Sequence, residues 1–451
     1  MKSVAFHNLG CKVNTYEMDV MLGNLEKAGY KLVDFEQKAD IYIINTCTVT
    51  NIADRKSRQI LHRARKENPD GVVVAVGCYV QNGLDDPSKD DAVDIVIGNN
   101  RKNEIVRIIE EYLRDRKVSD NVADIAHEER FEDMTLISTA EHTRAFIKIE
   151  DGCNQFCSYC AIPLARGRVR SRDAEKIIEE VRGISEKGYR EVVLTGIHVS
   201  SYGLDFLGLK SADYEDACRA GFLLNLIDRI AEIPGIARIR LGSLEPRIVD
   251  TEFARRLAAN PKVCPHFHLS LQSGCDETLR RMNRHYDTNR FEEGTKALRE
   301  AFGGKVAITT DVIVGFPGED EREFEESFSF LEKIGFYEMH IFRYSRRKNT
   351  PADKMKNQVR EEDKALRSDR AIELSERLSK EYRARYIGNE MELLLEEEIT
   401  VGDRKYFVGH TMDYVMGAVD GQGFKAGDIV KGRAVSFLRD DLLSVENASY
   451  I

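Results

Sequence analysis

The 451-residue sequence has no hydrophobic run long enough to cross a membrane or to form the core of a signal peptide. The apolar segment VVVAV, near residue 74, is instead typical of a buried strand. We therefore expect a cytoplasmic, soluble protein with no membrane partner. Most of its nine cysteines would then stay reduced and serve as metal ligands or core thiols.

Positive charge is also scarce. Lysine and arginine number 67 against 77 acidic residues, which gives a formal net charge of -10 and argues against indiscriminate binding of nucleic acid. Local basic runs must then supply any contact with a polyanion, and we expect one composite surface built from three of them. The runs are Arg55 to Lys66, Arg166 to Arg172 and Arg343 to Lys348.

A fourth cysteine or histidine is missing from the most informative motif. Cys153, Cys157 and Cys160 form C-x-x-x-C-x-x-C with no further ligand nearby. Structural zinc sites are closed by four protein ligands, and Cys₄ is the usual set for a 4Fe-4S cluster. Three thiols therefore predict a 4Fe-4S cluster whose last iron binds a small chelating molecule. A zinc loop or three buried thiols is the alternative.

Three further cysteines occupy equivalent places near the start of the chain. Cys11, Cys47 and Cys78 each follow a strand-like run, and the carboxyl ends of parallel strands share one edge of a sheet. They could converge there as a second 4Fe-4S site with an open iron. The other cysteines, Cys218, Cys264 and Cys275, are interpreted as structural.

The pattern of apolar runs predicts an α/β protein with three folded parts. The first is a parallel α/β domain, the second has six β/α units typical of a partial (β/α)₆ barrel, and the third is a small β-barrel. The expected boundaries are a domain at 1–120, a linker at 121–138, the partial barrel at 139–370, a connecting helix at 371–386 and the terminal barrel at 387–451.

The cysteine loop DGCNQFCSYC resembles the signature of radical S-adenosylmethionine (SAM) enzymes, in which the open iron binds the amino and carboxyl groups of SAM. In that family an aromatic residue before the last cysteine lies near the adenine, and here it is Tyr159. Polar and glycine residues after later strands are candidates for binding the same cofactor. They are Thr195, Gly196, Ser243, Glu245, Gln272, Gly315 and Pro317.

The whole chain resembles the methylthiotransferases of that class. NLGCKVNTYE, INTCTVTN, GIHVSSYG, RIRLGSLEP, MNRHY and DVIVGFPGE are similar to the type that acts on threonylcarbamoyladenosine in tRNA. The resemblance implies that Cys11, Cys47 and Cys78 hold an auxiliary 4Fe-4S cluster, and that the other trio holds the radical SAM cluster. It implies that SAM is both methyl donor and radical source, and that the terminal segment is an RNA-binding TRAM domain.

The implied reaction is methylthiolation of carbon two of threonylcarbamoyladenosine at position 37, in the anticodon stem-loop of tRNA. A reductant such as flavodoxin or ferredoxin and a sulfur donor are implied as partners. Alternatives are a methylthiotransferase for isopentenyladenosine or for a ribosomal-protein aspartate. An alternative of another class is a non-catalytic iron-sulfur or zinc protein that binds RNA.

The segment FRYSRRKNTPA departs from the family pattern, because Arg343 stands where proline is usual and Asn349 where glycine is common. Guanidinium groups bind planar carboxylates through two hydrogen bonds. Our hypothesis is that Arg343 or a neighbour, Arg346 or Arg347, pairs with the carboxylate of the threonylcarbamoyl group.

Overall fold

A computed structural model describes residues 1–83, 87–117, 121–136, 143–208, 221–421 and 423–450. Three folded parts follow one another along these residues: an open parallel sheet with helices, a partial barrel of parallel strands, and a closed barrel whose strand pairs are antiparallel except for one. No described helix is long and apolar enough to cross a membrane. The expected order of the three architectures is confirmed.

The first part is a five-stranded parallel sheet in the order β2-β1-β3-β4-β5. β3 and β4 are buried at every position, as expected for strands covered on both faces. The strands are β1 Ser3–Asn8, β2 Lys31–Val33, β3 Ile41–Thr46, β4 Val72–Gly77 and β5 Ile95–Ile97. The helices are α1 Lys12–Lys27, α2 Asn51–Glu67, α3 Cys78–Asn82 and α4 Ile105–Asp115.

The segment expected to be a linker has no helix or strand over its described residues, 121–136, but it is packed against the fold. Ile125, Met134 and Leu136 are buried. The hydroxyl of Tyr16 donates to the Met134 carbonyl at 2.7 Å, which fastens the segment to α1. Residues 137 and 138 lie outside the described residues, and so does Cys218.

The second part contains six parallel strands in chain order, as the sequence predicts. Two three-stranded sheets are joined through bridges between Ile239 and Val263 and between Leu244 and Leu269, so the strands form one curved sheet. The six strands are β6 Arg144–Lys148, β9 Glu191–Thr195, β10 Arg238–Leu241, β11 His266–His268, β12 Ala307–Val314 and β13 Glu338–Arg343. A short hairpin of β7 Glu150–Asp151 and β8 Arg170–Ser171 follows the first strand.

Helices cover the outer face of this partial barrel. Four of them begin at an aspartate whose carboxylate accepts a backbone N–H of the first turn, which defines each helix start. These caps are Asp173, Asp250, Asp287 and Asp320. The helices of this part are α5 Ile162–Arg166, α6 Ala174–Glu186, α7 Phe222–Ala231, α8 Thr251–Ala258, α9 Asp276–Arg281, α10 Thr288–Ala301 and α11 Glu321–Ile334.

A charged helix, α12 Glu361–Ala384, leads to the third part. Five strands close there into a barrel in the order β14-β15-β16-β18-β17. They are β14 Glu390–Val401, β15 Arg404–His410, β16 Met416–Asp420, β17 Ile429–Arg439 and β18 Leu442–Tyr450. This is the small terminal barrel that the change of sequence texture predicts.

Candidate active site

The three early cysteines lie at the carboxyl ends of three neighbouring strands. Cys11 follows β1 and precedes α1, Cys47 follows β3, and Cys78 is the first residue of α3 after β4. A Cβ atom at Gly10 would lie 3.3 Å from the Cβ of Cys47. Burial, together with neighbouring Cys78 and Cys11, raises the pKa of Cys47 to about 12. The structure therefore brings this trio together.

The second trio lies on the loop after β6 and β7. Cys157 is buried, and Cys153 and Cys160 are half-buried. Burial raises the pKa of Cys160 to about 12, with Cys157 as the next cause. Burial also raises the pKa of Cys153, to which both other thiols contribute.

The MNRHY segment holds this loop in place. The backbone N–H of Ser158 donates to the Met282 carbonyl at 2.9 Å, and Asn283 Nδ2 donates to the Phe156 carbonyl at 3.0 Å. Arg284 Nη1 lies 3.1 Å from Cys157 Sγ. The MNRHY segment, more than a hundred residues later in the chain, thus fixes the cysteine loop. It also places the Arg284 guanidinium beside the Cys157 thiol.

One arginine from the segment after the second cysteine trio contacts a cysteine of the first. Arg166, at the end of α5 and six residues after Cys160, directs its Nε to Cys78 Sγ at 3.3 Å. Asn99 Nδ2 lies 3.5 Å from the same sulfur and donates to the Ala165 carbonyl at 2.7 Å. The two halves of the site therefore meet at Cys78, across α3 and α5.

A buried charge network surrounds this contact. Arg166 pairs with Glu17 and Asp151, and Lys148 pairs with the same two carboxylates at 2.6 and 2.7 Å. Burial raises the pKa of Glu17, but Arg166, Lys102 and Lys148 outweigh that effect and hold it well below the ordinary value.

Cations exceed carboxylates in this network. The side chains of Lys102, Lys148, Arg166 and Arg170 form ion pairs with Glu17 and Asp151, and Glu132 acts on the two lysines from nearby. Burial raises the pKa of a further carboxyl group, Glu150, to about 8. An excess of buried positive charge is costly unless an anion balances it. A cluster held by three thiolates is such an anion, so the donor set fits the group that the spacing predicts.

The predicted SAM residues after β9 adjoin a carboxyl group that motif spacing did not reveal. Thr195 is buried at the end of β9, and a Cβ atom at Gly196 would lie 2.2 Å from Glu150 Oε1. Glu150 Oε1 accepts the His198 backbone N–H, while Glu150 Oε2 is buried without a partner among the described residues. A cationic ligand such as an ammonium or sulfonium group would satisfy that oxygen.

Glu245 is more constrained than expected. Its carboxylate is 2 % exposed and contacts His198 Nε2 at 3.2 Å, Arg247 Nε at 3.2 Å and Arg284 Nη2 at 3.3 Å. Burial raises its pKa, but Arg284, His198 and Arg247 lower it to about 2. Glu245 therefore anchors Arg284, and a contact with a ribose remains a prediction.

The remaining predicted cofactor residues lie around the same barrel mouth. Ser243 is exposed after β10, and Gln272 is buried with a left-handed backbone (φ +71°). Tyr159 is half-buried and packs edge-on against Phe316 with ring centroids 6.3 Å apart.

The glycine turn after β12 packs tightly against another part of the protein. A Cβ atom at Gly315 would lie 2.3 Å from Lys364 Cγ, so the tight approach there is to α12. The Pro317 carbonyl accepts from Arg281 Nε at 3.2 Å. Cofactor contacts by these two residues stay predictions.

Strand register bears on the carboxylate hypothesis. In the strand register, Arg343 is the Cα partner of Val314, and Ile341 is the Cα partner of Val312. Val312 and Val314 belong to the core and face the helix layer, so Arg343 lies on that same face of the sheet. Arg343 is exposed, but it projects from the face of β13 opposite His340. This geometry argues against Arg343 as a ligand inside the barrel.

Arg346 and Arg347 have protein partners. Arg346 Nε pairs with Asp353 Oδ1 at 3.0 Å. Arg347 is 2 % exposed, and its guanidinium binds Asp54 Oδ2, Thr48 Oγ1 and Asn51 Oδ1, each at 2.7 Å. Arg347 therefore joins the segment after β13 to the segment after Cys47.

The three basic runs differ in what they offer to a composite surface, which stays a prediction. Arg166, Arg170 and Arg172 are at most 1 % exposed, and Arg347 is buried as well. The first run and the rest of the third lie at the surface, where the exposed residues are Arg55, Lys56, Arg63, Lys66, Arg343, Arg346 and Lys348. Basic groups also meet in an open pocket of about 450 Å³, lined by Arg247, Arg280, Arg284 and Arg290 together with Asp276 and Asp287.

The terminal barrel closes the amino-terminal end of the partial barrel. Tyr414, with a left-handed backbone (φ +73°), stacks on His266 with ring centroids 4.7 Å apart. Arg240 and Arg144 lie over the same ring at 4.8 and 5.2 Å from its centroid. Arg240 also donates to the Met412 carbonyl at 2.8 Å. The second and third parts of the chain thus pack together at this end.

Comparisons with known proteins agree with this architecture. Residues 147–331 match the model of the radical SAM superfamily, and residues 3–98 match that of an uncharacterized protein family, UPF0004. The threonylcarbamoyladenosine tRNA methylthiotransferase MtaB of Bacillus subtilis is 40% identical over 432 residues, which cover 96% of this chain and 93% of that protein. The tRNA-2-methylthio-N(6)-dimethylallyladenosine synthase of Methylacidiphilum infernorum is 33% identical, over 88% and 85% of the two chains.

A solved structure resembles the fold. The radical SAM methyltransferase TsrM from Kitasatospora setae, with cobalamin and a [4Fe-4S] cluster bound, superposes with a TM-score of 0.53 at 16% identity. The match covers 78% of this chain and 74% of that one. At such identity the likeness bears on the fold alone.

Proposed function

The chain belongs to the radical SAM methylthiotransferase family, and we propose that it methylthiolates carbon two of threonylcarbamoyladenosine at position 37 of tRNA. Relatives named for the threonylcarbamoyl nucleoside are 35 to 40% identical, and those named for the dimethylallyl nucleoside 30 to 33%. The structural observation that supports the proposal is the contact of Arg166, which follows the second cysteine loop in the chain, with Cys78 of the first trio, because it packs the two cysteine-bearing parts against each other.

The reaction needs chemistry that side chains lack. The hydrogen on carbon two of the adenine ring is not acidic, and the carbon bears no leaving group, so general base or nucleophilic catalysis has nothing to act on. When bound, two 4Fe-4S clusters and SAM supply the radical, the methyl group and the sulfur transfer. In the proposal Cys153, Cys157 and Cys160 hold one cluster, and Cys11, Cys47 and Cys78 hold the other.

The other residues bind and position. Arg284 donates toward Cys157 and is itself held by Glu245, so the radical loop keeps one geometry. Glu150 lies beside Gly196, and its Oε2 has no partner among the described residues. Burial raises its pKa to about 8, and the ammonium group of SAM would favour ionisation of this carboxyl group and donate to it. Tyr414 packs against the amino-terminal end of the barrel, opposite the cysteine loop, and holds the terminal barrel against the catalytic domain.

Surface features support binding of RNA near this mouth. The arginine-lined pocket offers charge for phosphates. Exposed apolar side chains stand beside both cysteine loops: Val49 and Ile52 follow Cys47, and Phe156 lies within the radical loop. Arg168 lies over the Phe156 ring at 4.2 Å from its centroid. Such pairs form platforms for unstacked bases in single-stranded loops.

Partners follow from the chemistry. Reductive cleavage of SAM consumes an electron, so we expect a one-electron donor such as flavodoxin or ferredoxin. Each turnover also incorporates a sulfur atom, which requires a sulfur donor. Both partners, and the tRNA substrate, are consistent with a cytoplasmic enzyme.

The test is an anaerobic reaction of the cluster-loaded full chain with SAM, a reductant and tRNA bearing threonylcarbamoyladenosine. Mass analysis of nucleosides and of deoxyadenosine should show the 2-methylthio product, with about eight irons per chain before the reaction. Cys153→Ala should abolish deoxyadenosine formation. Cys275→Ala, which alters a buried cysteine outside both trios, should retain it. Modification of dimethylallyladenosine tRNA only, or a zinc-loaded colourless protein, would refute the proposal.

A further inference from the structure

Three metal-binding side chains lie on adjacent strands inside the partial barrel. His268 ends β11, Asp311 lies in β12 and His340 in β13. Each is flanked along its strand by core residues such as Phe267, Val312 and Met339. Because strand side chains alternate between faces, the three project away from the helix layer, into the barrel. Asp311 and His340 are direct Cα partners in the strand register.

Their ligand atoms lie at distances suited to one ion. His268 Nε2 is 3.4 Å from Asp311 Oδ2, and the imidazole rings of His268 and His340 are nearly parallel with centroids 5.9 Å apart. One ligand atom from each residue falls within 4.8 Å of the other two. Ligands at about 2.0 to 2.1 Å from a tetrahedral zinc ion lie roughly 3.4 Å apart. A small rotation of exposed His340 would complete the set.

The groups are also prepared for coordination. His268 Nδ1 lies 3.1 Å from Thr309 Oγ1, a contact that orients the ring and directs Nε2 at Asp311. His268 Nε2 is buried and has no well-formed hydrogen bond within the described residues.

We propose that His268, Asp311 and His340 form a binding site for a borderline divalent metal ion of the Zn²⁺ or Fe²⁺ class. Two imidazoles and one carboxylate on one side of an ion leave further coordination positions open. Those positions face the barrel interior, near the radical loop to which Arg284 is bonded. They accept an oxygen of the threonylcarbamoyl substituent, its carboxylate or hydroxyl group; this second half rests on the proposed function.

The ion would give the enzyme a way to distinguish substrates. Carboxylate and hydroxyl oxygens are ligands for such ions, whereas a dimethylallyl group has no donor atom. A nucleoside without oxygen donors on N6 would leave the ion with water alone. The metal site would thus bind the threonylcarbamoyl carboxylate, for which the sequence suggested Arg343. Arg343 lies on the opposite face of β13 from His340.

Metal binding is measured first, on the cluster-loaded full chain, in which iron occupies the cysteine ligands. After chelator treatment that leaves about eight irons, Zn²⁺ is titrated calorimetrically and zinc per chain is determined. The wild type should bind one Zn²⁺ with micromolar or tighter affinity. His340→Ala and Asp311→Asn should weaken binding at least 100-fold, and Thr309→Val about 10-fold through loss of ring orientation.

His62→Ala is the matched control. His62 Nε2 lies 3.1 Å from Asp90 Oδ2 on the surface, a histidine–aspartate pair without a second histidine. This variant should bind Zn²⁺ like the wild type. Iron content and circular dichroism confirm folding, and His340→Asn replaces any variant that fails those checks. A wild type that binds no Zn²⁺, or variants that bind it equally well, would overturn the metal site.

The substrate half is tested by RNA affinity. Anticodon stem-loops with threonylcarbamoyladenosine or unmodified adenosine are titrated against zinc-loaded and zinc-free enzyme. Zinc should strengthen binding of the first RNA about tenfold and leave the second unchanged. Equal effects on both would overturn the oxygen ligand while the metal site stands. Zinc binding in an enzyme that forms no methylthio product would instead reject the proposed function alone.

Discussion

Two arginines contact cysteines of the two trios, and the spacing of residues in the sequence reveals neither contact. Arg166 reaches Cys78 and Arg284 reaches Cys157, across 88 and 127 positions of sequence. The cysteines could be found from sequence because a metal cluster demands thiolates in a compact set. An arginine carries no such signature, since it is equally common on solvated faces. Only the fold identifies these two by their burial and partners.

Removal of Arg166 should weaken both the fold and one cluster. Arg166→Met removes hydrogen bonds to Glu17 and Asp151, but Lys148 still pairs with both carboxylates. We therefore expect a loss of about 1.5 to 3 kcal/mol in the free energy of unfolding. Denaturant unfolding of the cluster-free protein measures it. Arg168→Met is the control, since Arg168 is exposed two residues away. Equal stability of the two variants would show that the network contributes little.

Loss of the Arg284 contact should change the radical cluster. Arg284→Gln removes a positive charge and a donor near Cys157 Sγ, and both effects lower a cluster's reduction potential. We expect a shift of roughly tens of millivolts, seen by electron paramagnetic resonance during redox titration, with slower formation of deoxyadenosine. An unchanged potential would contradict a role for this contact in tuning the cluster.

The carboxylate of Glu245 makes a pH-dependent contribution to stability. Its folded pKa of about 2 lies below the ordinary 4.5, so ionisation favours the folded state by about 3 kcal/mol above pH 4.5. This contribution is lost as the pH falls through the folded value. Glu245→Gln should therefore destabilise the cluster-free chain at pH 6 to 8. The difference in the free energy of unfolding between Glu245→Gln and the wild type should become smaller below pH 4.5. A difference that does not change with pH would point to lost packing.

At the scale of elements, the loop between β15 and β16 couples the terminal barrel to the catalytic domain. The ring of Tyr414 lies between His266 and His410, at 4.7 and 4.4 Å, and under two arginines. Its left-handed backbone is unusual for a bulky residue and persists only where surrounding contacts hold it. The loop is therefore part of the catalytic domain's packing as well as of the barrel.

Tyr414→Ala should loosen this junction. We expect faster proteolysis near α12, and methylthiolation of tRNA that falls more than SAM cleavage does in the absence of RNA. Tyr414→Phe keeps the stacked ring and should behave like the wild type in both assays. If Tyr414→Ala were proteolysed no faster than the wild type, the ring would be dispensable for docking.

Sequence patterns predicted the elements better than their surroundings. The six strands of the partial barrel follow from apolar runs, and the terminal barrel from glycine and aspartate between short strands. The alternation of Arg166, Arg168, Arg170 and Arg172 gave no sign that three of them are buried. Their acidic partners come from other segments, so the desolvation that decides burial is a tertiary effect. For the same reason, the sequence did not reveal that His268, Asp311 and His340 lie close together.

At the scale of the whole molecule, the net charge of the chain does not determine the charge of its binding surface. The chain carries a net charge of -10, yet four arginines line one pocket near the barrel mouth. Attraction of RNA depends on such local charge, and the acidic remainder limits binding elsewhere.

The double variant Arg280→Ala/Arg290→Ala should reduce tRNA affinity and its dependence on salt. Each lost phosphate contact lowers the slope of log affinity against log salt by about 0.7 to 0.9, so a decrease of up to about 1.8 is expected. Filter binding at several salt concentrations measures it. Arg377→Ala, on the exposed side of α12, should leave the slope unchanged. An unaltered slope in the double variant would place the RNA elsewhere.

The contact of Arg166 with Cys78 also makes the three thiols of the first trio unequal in their access to solvent. Cys78 is buried where α3 packs against α5, and Cys47 is buried as well, whereas Cys11 is exposed. Oxidants that reach the cluster-free chain should therefore attack Cys11 before the two covered thiols.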